Sequence, residues 1–158
     1  MTSIVGGLIG NSAIVGFGSS SGGIGISSGQ IDLTGVLGPA INFAFSAPRA
    51  GTITAVTGYF SNQASLSLTA TTVTITMQVY ASTTPNNIFT AVSGASVTMS
   101  PALSGSVAVG SVSTGSVTGL SIPVAAGTRL LFVTSITAAG LSLVNSVTGY
   151  ASGGVAFN

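Results

Sequence analysis

Few side chains in this sequence could do chemistry: apart from the tyrosines, the ionisable ones are Asp32, Arg49 and Arg129. The chain contains no His, Cys, Glu or Lys. General acid–base catalysis needs a group that titrates near the working pH, and a serine nucleophile needs a base beside it. A single carboxylate forms no catalytic pair, and it offers Zn²⁺, iron or Ca²⁺ too few ligands. We therefore expect a protein that is not an enzyme and holds no cofactor and no metal.

The three charged residues have two interpretations. Each can be a solvated charge at the end of a loop, where it contributes little to stability. Alternatively, Asp32 pairs with Arg49 or Arg129, within one chain or between subunits. Such a pair would set the register of surfaces that are otherwise neutral.

Two further features have only a superficial likeness to binding motifs. The stretch "GFGSSSGGIG", residues 16–25, lacks the Lys of a P-loop and the spacing of a dinucleotide fingerprint. It predicts a flexible turn between strands. The tyrosines are expected in the core or in an interface instead of forming a platform that stacks on sugars; they are Tyr59, Tyr80 and Tyr150.

The composition excludes several classes of partner. Charged residues make up 2% of the 158 residues and the net charge is +1, which leaves no electrostatic footprint for nucleic acid or anionic lipid. The mean hydropathy is +0.79, too high for a disordered chain. A spanning helix needs about 20 nearly continuous apolar residues, whereas the apolar region 120–157 is interrupted by Pro123, Arg129 and Asn145. We expect no nucleic-acid partner and no membrane partner.

Alternation of apolar and polar residues predicts strands along most of the chain. In "TVTITMQVY", residues 72–80, apolar side chains fall on every second position from Val73 to Val79, and β-branched side chains occur throughout. Both features are typical of a half-buried strand. Residues 51–61 predict a second strand, and 129–137 with 141–151 predict a hairpin joined by Ala-Ala-Gly. Weaker strands are predicted at 41–46, 95–99, 106–112, 120–124 and 154–157, and turns at 84–87, 93–94, 100–101 and 126–127.

About ten short strands without a capped amphipathic helix predict an all-β fold, a jelly-roll β-sandwich. We divide the chain into an apolar N-terminal arm or first strands, 1–18, and one jelly-roll domain, 19–158. The n-region has no Lys or Arg and no A-x-A site follows it, so no signal peptide is expected.

The arm contains "IVGGLIGNSAIVGFG", residues 4–18, which is too short and too rich in Gly for a spanning helix. We expect it to be extended and covered by protein, linking one trimer to the next. As one or two short strands, 4–9 and 12–17, it could pair at a sheet edge. The alternative is an ordinary first strand inside the chain's own jelly roll. The residues expected to make the assembly contacts are apolar: Ile4, Val5, Leu8, Ile9, Ile14, Val15 and Phe17.

A chain with so little charge has weak colloidal repulsion and tends to associate. Its apolar faces are therefore expected to be covered by copies of itself. With two Arg and no Lys it also offers few sites to trypsin-like proteases. These properties favour a durable, permanently assembled structural protein.

Several long stretches resemble the C-terminal domain of BclB-type exosporium glycoproteins of spore-forming bacteria. They are "IDLTG", "NFAFSAPRAGTITAVTGYFS", "TTVTITMQVYASTTPNNIFT", "IPVAAGTRLLFV" and "GLSLVNSVTGYASGGV". The resemblance covers nearly the whole chain. It implies a tumour-necrosis-factor-like jelly roll that assembles as a homotrimer, and it carries no catalytic residue. These 158 residues lack the family's Gly-X-Y stalk, so the chain is either an excised head or a stalkless relative.

The resemblance also implies a function and a location. The chain would be a subunit of a fibre, appendage or layer on the spore surface, made in the mother cell without a signal peptide. Its partners would be itself and other exosporium proteins. The alternative is an adhesive or ligand-binding head. A binding head should have a concave patch with convergent polar groups, whereas a fibre subunit should have complementary top and bottom faces.

Overall fold

Strands form the regular structure of this chain in the computed structural model, which describes residues 1–15, 20–35, 43–84 and 86–158. The described residues contain eleven strands: β1 (Asn11–Val15), β2 (Ser20–Gly25), β3 (Gln30–Asp32), β4 (Phe45–Ser46), β5 (Gly51–Asn62), β6 (Leu66–Ser82), β7 (Ile88–Thr98), β8 (Leu103–Val107), β9 (Val112–Val124), β10 (Arg129–Gly140) and β11 (Gly149–Phe157). The described residues contain no α-helix, and none that could cross a membrane. The all-β prediction is confirmed.

The strands form two antiparallel sheets. The large sheet has the order β2-β1-β10-β6-β7-β3, with β4 also beside β10 and β8 also beside β6. The small sheet has the order β11-β5-β9. Side chains of both sheets meet in one buried cluster, which includes Ile53 and Phe60 of β5 and Met77 and Ile136 of the large sheet. The predicted β-sandwich is therefore confirmed.

The clearest predicted strand is correct and longer than expected. Along β6, Val73, Ile75, Met77 and Val79 are each at most 1% exposed, while the residues between them are partly exposed. The predicted strand 51–61 is β5, whose inward positions include Ile53 and Phe60. Alternation identified both strands because each has one face on the core between the sheets.

The large sheet also buries part of its second face. Leu131 and Val133 of β10 pack with Tyr80, Phe89 and other residues in a second cluster, while Leu130 of the same strand belongs to the cluster between the sheets. This explains the uninterrupted apolar run "LLFV", because a strand that is covered on both faces needs no polar positions.

The predicted hairpin of 129–137 with 141–151 is wrong. β10 continues through Ala138-Ala139-Gly140 and stays paired with β6 as far as Thr71. Residues 141–148 then cross to the small sheet, where β11 pairs with β5. A Cβ on Gly140 would lie 2.1 Å from the carbonyl oxygen of Ala70. The small residues therefore permit a close strand contact instead of making a turn.

Three smaller predictions also need correction. In the glycine-rich stretch, residues 20–25 form β2, which pairs with β1 and buries Ile24; residues 16–19 lie outside the described part. The turn predicted at 93–94 lies within β7, where it accompanies an irregular register against β6. The single strand predicted at 106–112 is instead the end of β8 and the start of β9.

The remaining weak predictions overlap observed strands. Residues 95–99 overlap β7, 120–124 lie in β9, and 154–157 overlap β11. Of the strand predicted at 41–46, residues 45–46 form β4, and residues 41 and 42 lie outside the described part. β3 was not predicted, because three residues are too few to show a period.

Candidate assembly surfaces

All three charged side chains lie at one end of the sandwich, which we call the charged end. Arg129 opens β10, and its Nη1 donates to the carbonyl oxygen of Asn86 at 2.9 Å. Its guanidinium lies 5.2 Å from the centroid of the Phe89 ring. The β6–β7 loop that contains Asn86 therefore brings Arg129 close to the start of β7.

Asp32 ends β3 opposite Ile88, which places it at the same end. Its Oδ1 accepts a hydrogen bond of 2.8 Å from the backbone N–H of Thr34. Hydrogen bonds from the Thr34 side chain and then from its backbone lower the pKa of this exposed carboxyl.

Arg49 lies in the turn between β4 and β5, also at the charged end. Its guanidinium is 5.5 Å from the centroid of the Phe157 ring, and its Nη1 donates to the carbonyl oxygen of Ala50 at 3.2 Å. The contacts described for Asp32 and Arg49 are thus with neutral groups. An Asp–Arg pair between subunits stays a prediction.

The opposite end of the sandwich exposes apolar side chains, and we call it the apolar end. β10 spans 12 residues from Arg129 to Gly140, so the two ends are roughly 35 Å apart at about 3.3 Å per residue. Large exposed side chains at the apolar end come from the N-terminal segment and from the 141–148 crossing: Ile4 (49%), Val5 (82%), Leu8 (63%), Leu141 (82%) and Val144 (63%). The end is therefore apolar and free of charged side chains.

Backbone hydrogen bonds hold the N-terminal segment at the apolar end. The N–H of Ile4 bonds to the carbonyl oxygen of Leu8 at 3.0 Å, which closes a tight turn. The carbonyl oxygen of Gly7 accepts from the N–H of Ala138 in β10 at 2.9 Å, and Ser3 N–H donates to Asn145 O at 2.9 Å. Residues 3–9 are thus attached to both the end of β10 and the crossing.

The predicted assembly residues divide into two groups. Ile4, Val5 and Leu8 are exposed at the apolar end, and Ile9 is 37% exposed. Ile14 is 0% exposed in the second cluster of the chain's own sheet, so it offers no surface to another chain. Val15 belongs to β1 opposite Phe132, and Phe17 lies outside the described residues. Residues 11–15 therefore form an internal strand, as the alternative interpretation predicted. Residues 4–8 form a turn, so the prediction of an extended segment or strand there is wrong.

The outer face of the small sheet is a second uncharged surface. Tyr59 lies opposite Ser152, and Tyr150 lies opposite Ser61, so the two tyrosines are diagonal neighbours on one face. They are 40% and 66% exposed, and Val112 beside Ser61 is 41% exposed. Tyr80 does not join them: it is 5% exposed in the second cluster, and its burial raises its pKa.

An apolar cavity of about 400 Å³, which sequence reasoning missed, opens between the sheets near the charged end. Its lining combines residues from four segments that are far apart in sequence, among them Phe43, Phe45, Leu130, Phe132 and Phe157, with Arg49. The phenylalanines are the residues that could have indicated the cavity from the sequence, because four of the seven in the chain line it.

Comparison with known proteins finds a similarity to a collagen-like protein. No protein-family model matches the chain, and no solved structure matches it. The chain is 37% identical over 153 residues to Collagen-like protein 1 of Acanthamoeba polyphaga mimivirus. The alignment covers 96% of this chain and 16% of that protein, so the chain spans about one sixth of its relative's length. The chain is thus similar to one part of a collagen-like protein, and the resemblance to exosporium glycoproteins stays a prediction.

Proposed function

We propose that this chain is a structural surface protein that assembles as a homotrimer through the outer face of the small sheet. The observation that carries the proposal is an uncharged, exposed sheet face with two adjacent tyrosines, Tyr59 and Tyr150. The similarity to a collagen-like protein supports a structural or surface role. The composition supports it as well, because the chain has no His, Cys, Glu or Lys and only one carboxylate side chain to serve in acid–base catalysis.

The small sheet is the better candidate for the trimer contact because its outer face is open. The large sheet has a second cluster of buried side chains on its far face, whereas the outer positions of β5 and β11 are exposed at Tyr59, Tyr150 and Ser152. Aromatic side chains are enriched in protein interfaces, and charges are depleted at the centre of such interfaces. This face combines both properties.

The apolar end supplies the next contact in our proposal. Two apolar ends can meet without burying a charged side chain, because Asp32, Arg49 and Arg129 all lie at the other end. There, Asp32 of one trimer would face the arginines of another. Alternation of these two contacts would build a fibre or layer from trimers.

The proposed location is the spore surface, in the exosporium, with other exosporium proteins as further partners. The support for it is the ordered resemblance across "NFAFSAPRAGTITAVTGYFS" and the other stretches quoted above. Labelling intact spores of the producing organism with an antibody against the chain tests the location, and labelling confined to the cell interior would contradict it.

The adhesive-head alternative receives less support. It requires a concave patch on which several polar groups converge, whereas the cavity near the charged end has Arg49 as its charged lining side chain and is otherwise apolar, which suits a small apolar molecule better than an adhesion surface. Tyr59 lies on a sheet face, and Tyr150 also lines a second, smaller cavity of about 290 Å³ together with Thr134 and Thr148. The geometry therefore favours assembly.

Three matched substitutions to aspartate test the proposal, with sedimentation velocity for the trimer and negative-stain microscopy for fibres. Tyr59→Asp places three like charges in the trimer contact, so we expect monomers. Val5→Asp should leave the trimer intact and abolish fibres. Ile88→Asp, at a side chain 40% exposed near the charged end, is the control for an added surface charge and should leave the trimer intact. A wild-type chain that stays monomeric at micromolar concentration would contradict the proposal.

A further inference from the structure

The cavity near the charged end has the volume of a ligand site. Its volume of about 400 Å³ lies within the range of about 300–1,000 Å³ that small-molecule sites occupy. β4 and β10 contribute one wall, with Phe45, Leu130 and Phe132, and β11 contributes the other, with Val155 and Phe157. We propose that this cavity binds a small apolar monoanion, of the class of medium-chain carboxylates.

The lining requires an apolar body in the ligand. Phenylalanine rings and aliphatic side chains give a hydrocarbon chain contact on both sides, and they give a polar molecule few partners for its hydrogen bonds. Gly153 and Gly154 of β11 also line the cavity. A Cβ on Gly153 would lie 2.4 Å from the sulfur of Met77, so glycine at this position lets β11 pack closely against β6 beside the cavity.

Arg49 requires an anionic head group in the ligand. It is the charged side chain among the lining residues, and neither Asp32 nor Arg129 lines the cavity. The Phe157 ring, which also lines the cavity, lies 5.5 Å from the guanidinium of the exposed Arg49. Nη1 donates to Ala50 O, and an arginine has five N–H donors in a planar fork that matches a carboxylate. The remaining donors can therefore hold the head group while the chain fills the cavity.

The test compares two probes that differ in the head group, octanoate and octan-1-ol, by calorimetric titration of the whole chain. Octanoate should bind once per chain and more tightly than octan-1-ol. Arg49→Gln should lower the affinity for octanoate by about three- to tenfold, as the loss of a charge-assisted hydrogen bond predicts, and should leave octan-1-ol unaffected. Arg129→Gln removes the same charge from the same end and should change neither affinity.

Two further variants separate the cavity from the apolar end. Val155→Trp fills the cavity and should abolish the binding of both probes, with the far-ultraviolet circular dichroism spectrum as the check on its fold. Val5→Asp alters the apolar end and should leave binding unchanged. The proposal is overturned if the folded wild type does not bind octanoate at millimolar concentration, if octan-1-ol binds equally well, or if Arg49→Gln has no effect. Loss of binding in Val5→Asp would place the probe at the apolar end and would equally overturn it.

Discussion

The side chain of Gln78 joins β6 to β7 where the register between these two strands is irregular. It lies in the middle of β6, where the register against β7 shifts between Gln78 and Tyr80. Its Nε2 donates to the carbonyl oxygens of Val92 at 2.7 Å and Ala95 at 3.1 Å. These carbonyls flank the Ser-Gly pair at 93–94 that the sequence analysis interpreted as a turn. A side chain therefore satisfies backbone groups that the ladder leaves without a partner.

Gln78→Leu should lower the free energy of unfolding by about 1–3 kcal/mol, because it leaves partly buried carbonyl groups without a donor. The control is Gln30→Leu, since the exposed Gln30 makes one long bond of 3.4 Å to Thr90; its effect should stay within about 0.5 kcal/mol. Urea unfolding at a fixed protein concentration measures both. Equal effects of the two substitutions would show that the bridge across β7 contributes nothing.

Asp32 should make stability depend on pH in the acid range. Hydrogen bonds from the side chain and then the backbone of Thr34 hold the pKa of Asp32 below 3.8 in the folded protein. Its contribution is therefore present above the unfolded pKa and is lost as pH falls through the folded pKa.

The melting temperature should be flat between about pH 5 and 6.5, because the chain has no His, and should fall below about pH 4. Asp32→Asn should reduce that fall, as thermal melts across the pH series would show. A fall of equal size in Asp32→Asn would assign it to another group.

The end of β10 shows how a local pattern can mislead. Ala138-Ala139-Gly140 has the composition of a turn, yet these residues pair with β6 up to Thr71. Gly140 has a φ of 120° and lies against the backbone of Ala70. After Gly140 the chain leaves the large sheet, and residues 141–148 cross to the small sheet. The direction of the chain at Gly140 therefore affects the position of β11.

Gly140→Ala should lower the free energy of unfolding by about 3 kcal/mol, because the new Cβ adds a backbone clash to an unfavourable φ. Gly119→Ala is the control: its φ is 73°, and no atom lies within 4 Å of the added Cβ. It should cost about 1 kcal/mol from the backbone conformation alone. Denaturant midpoints with unchanged slopes would give both values, and equal costs would contradict the close contact at Ala70.

The molecule as a whole is polarised, with its charges at one end and exposed apolar side chains at the other. Its two arginines differ in their accessibility to a protease. Arg129 is paired through β10 with both Ser82 and Ser46, whereas Arg49 lies in an exposed turn between β4 and β5.

Trypsin should therefore cut the native chain once, after Arg49, into pieces of 49 and 109 residues. A protease needs several residues of extended, unpaired chain, which β10 does not offer while folded. The unfolded chain should be cut at both arginines, which provides the control. Mass spectrometry of a time course distinguishes these patterns, and early cleavage after Arg129 would contradict the described pairing of β10.

The sequence by itself determined the class of structure and showed which reactive side chains are missing. Period-two alternation on β6 is a local property, because neighbouring side chains of a strand point to opposite faces. It therefore identified Val73, Ile75 and Met77 as core residues without any knowledge of their partners. The lack of His, Cys, Glu and Lys is likewise visible without a fold.

Only the tertiary structure decided which strands pair and which surfaces result. β11 pairs with β5, whose residues lie about 90 positions earlier in the chain, as Tyr59 opposite Ser152 shows. No local sequence pattern encodes a contact between residues so far apart. The cavity gathers Phe45, Phe132 and Phe157 from three strands. Ile14 and Val5 are both apolar residues of one short segment, yet the first is 0% and the second 82% exposed. Burial depends on the elements that pack nearby, which a residue's type does not reveal.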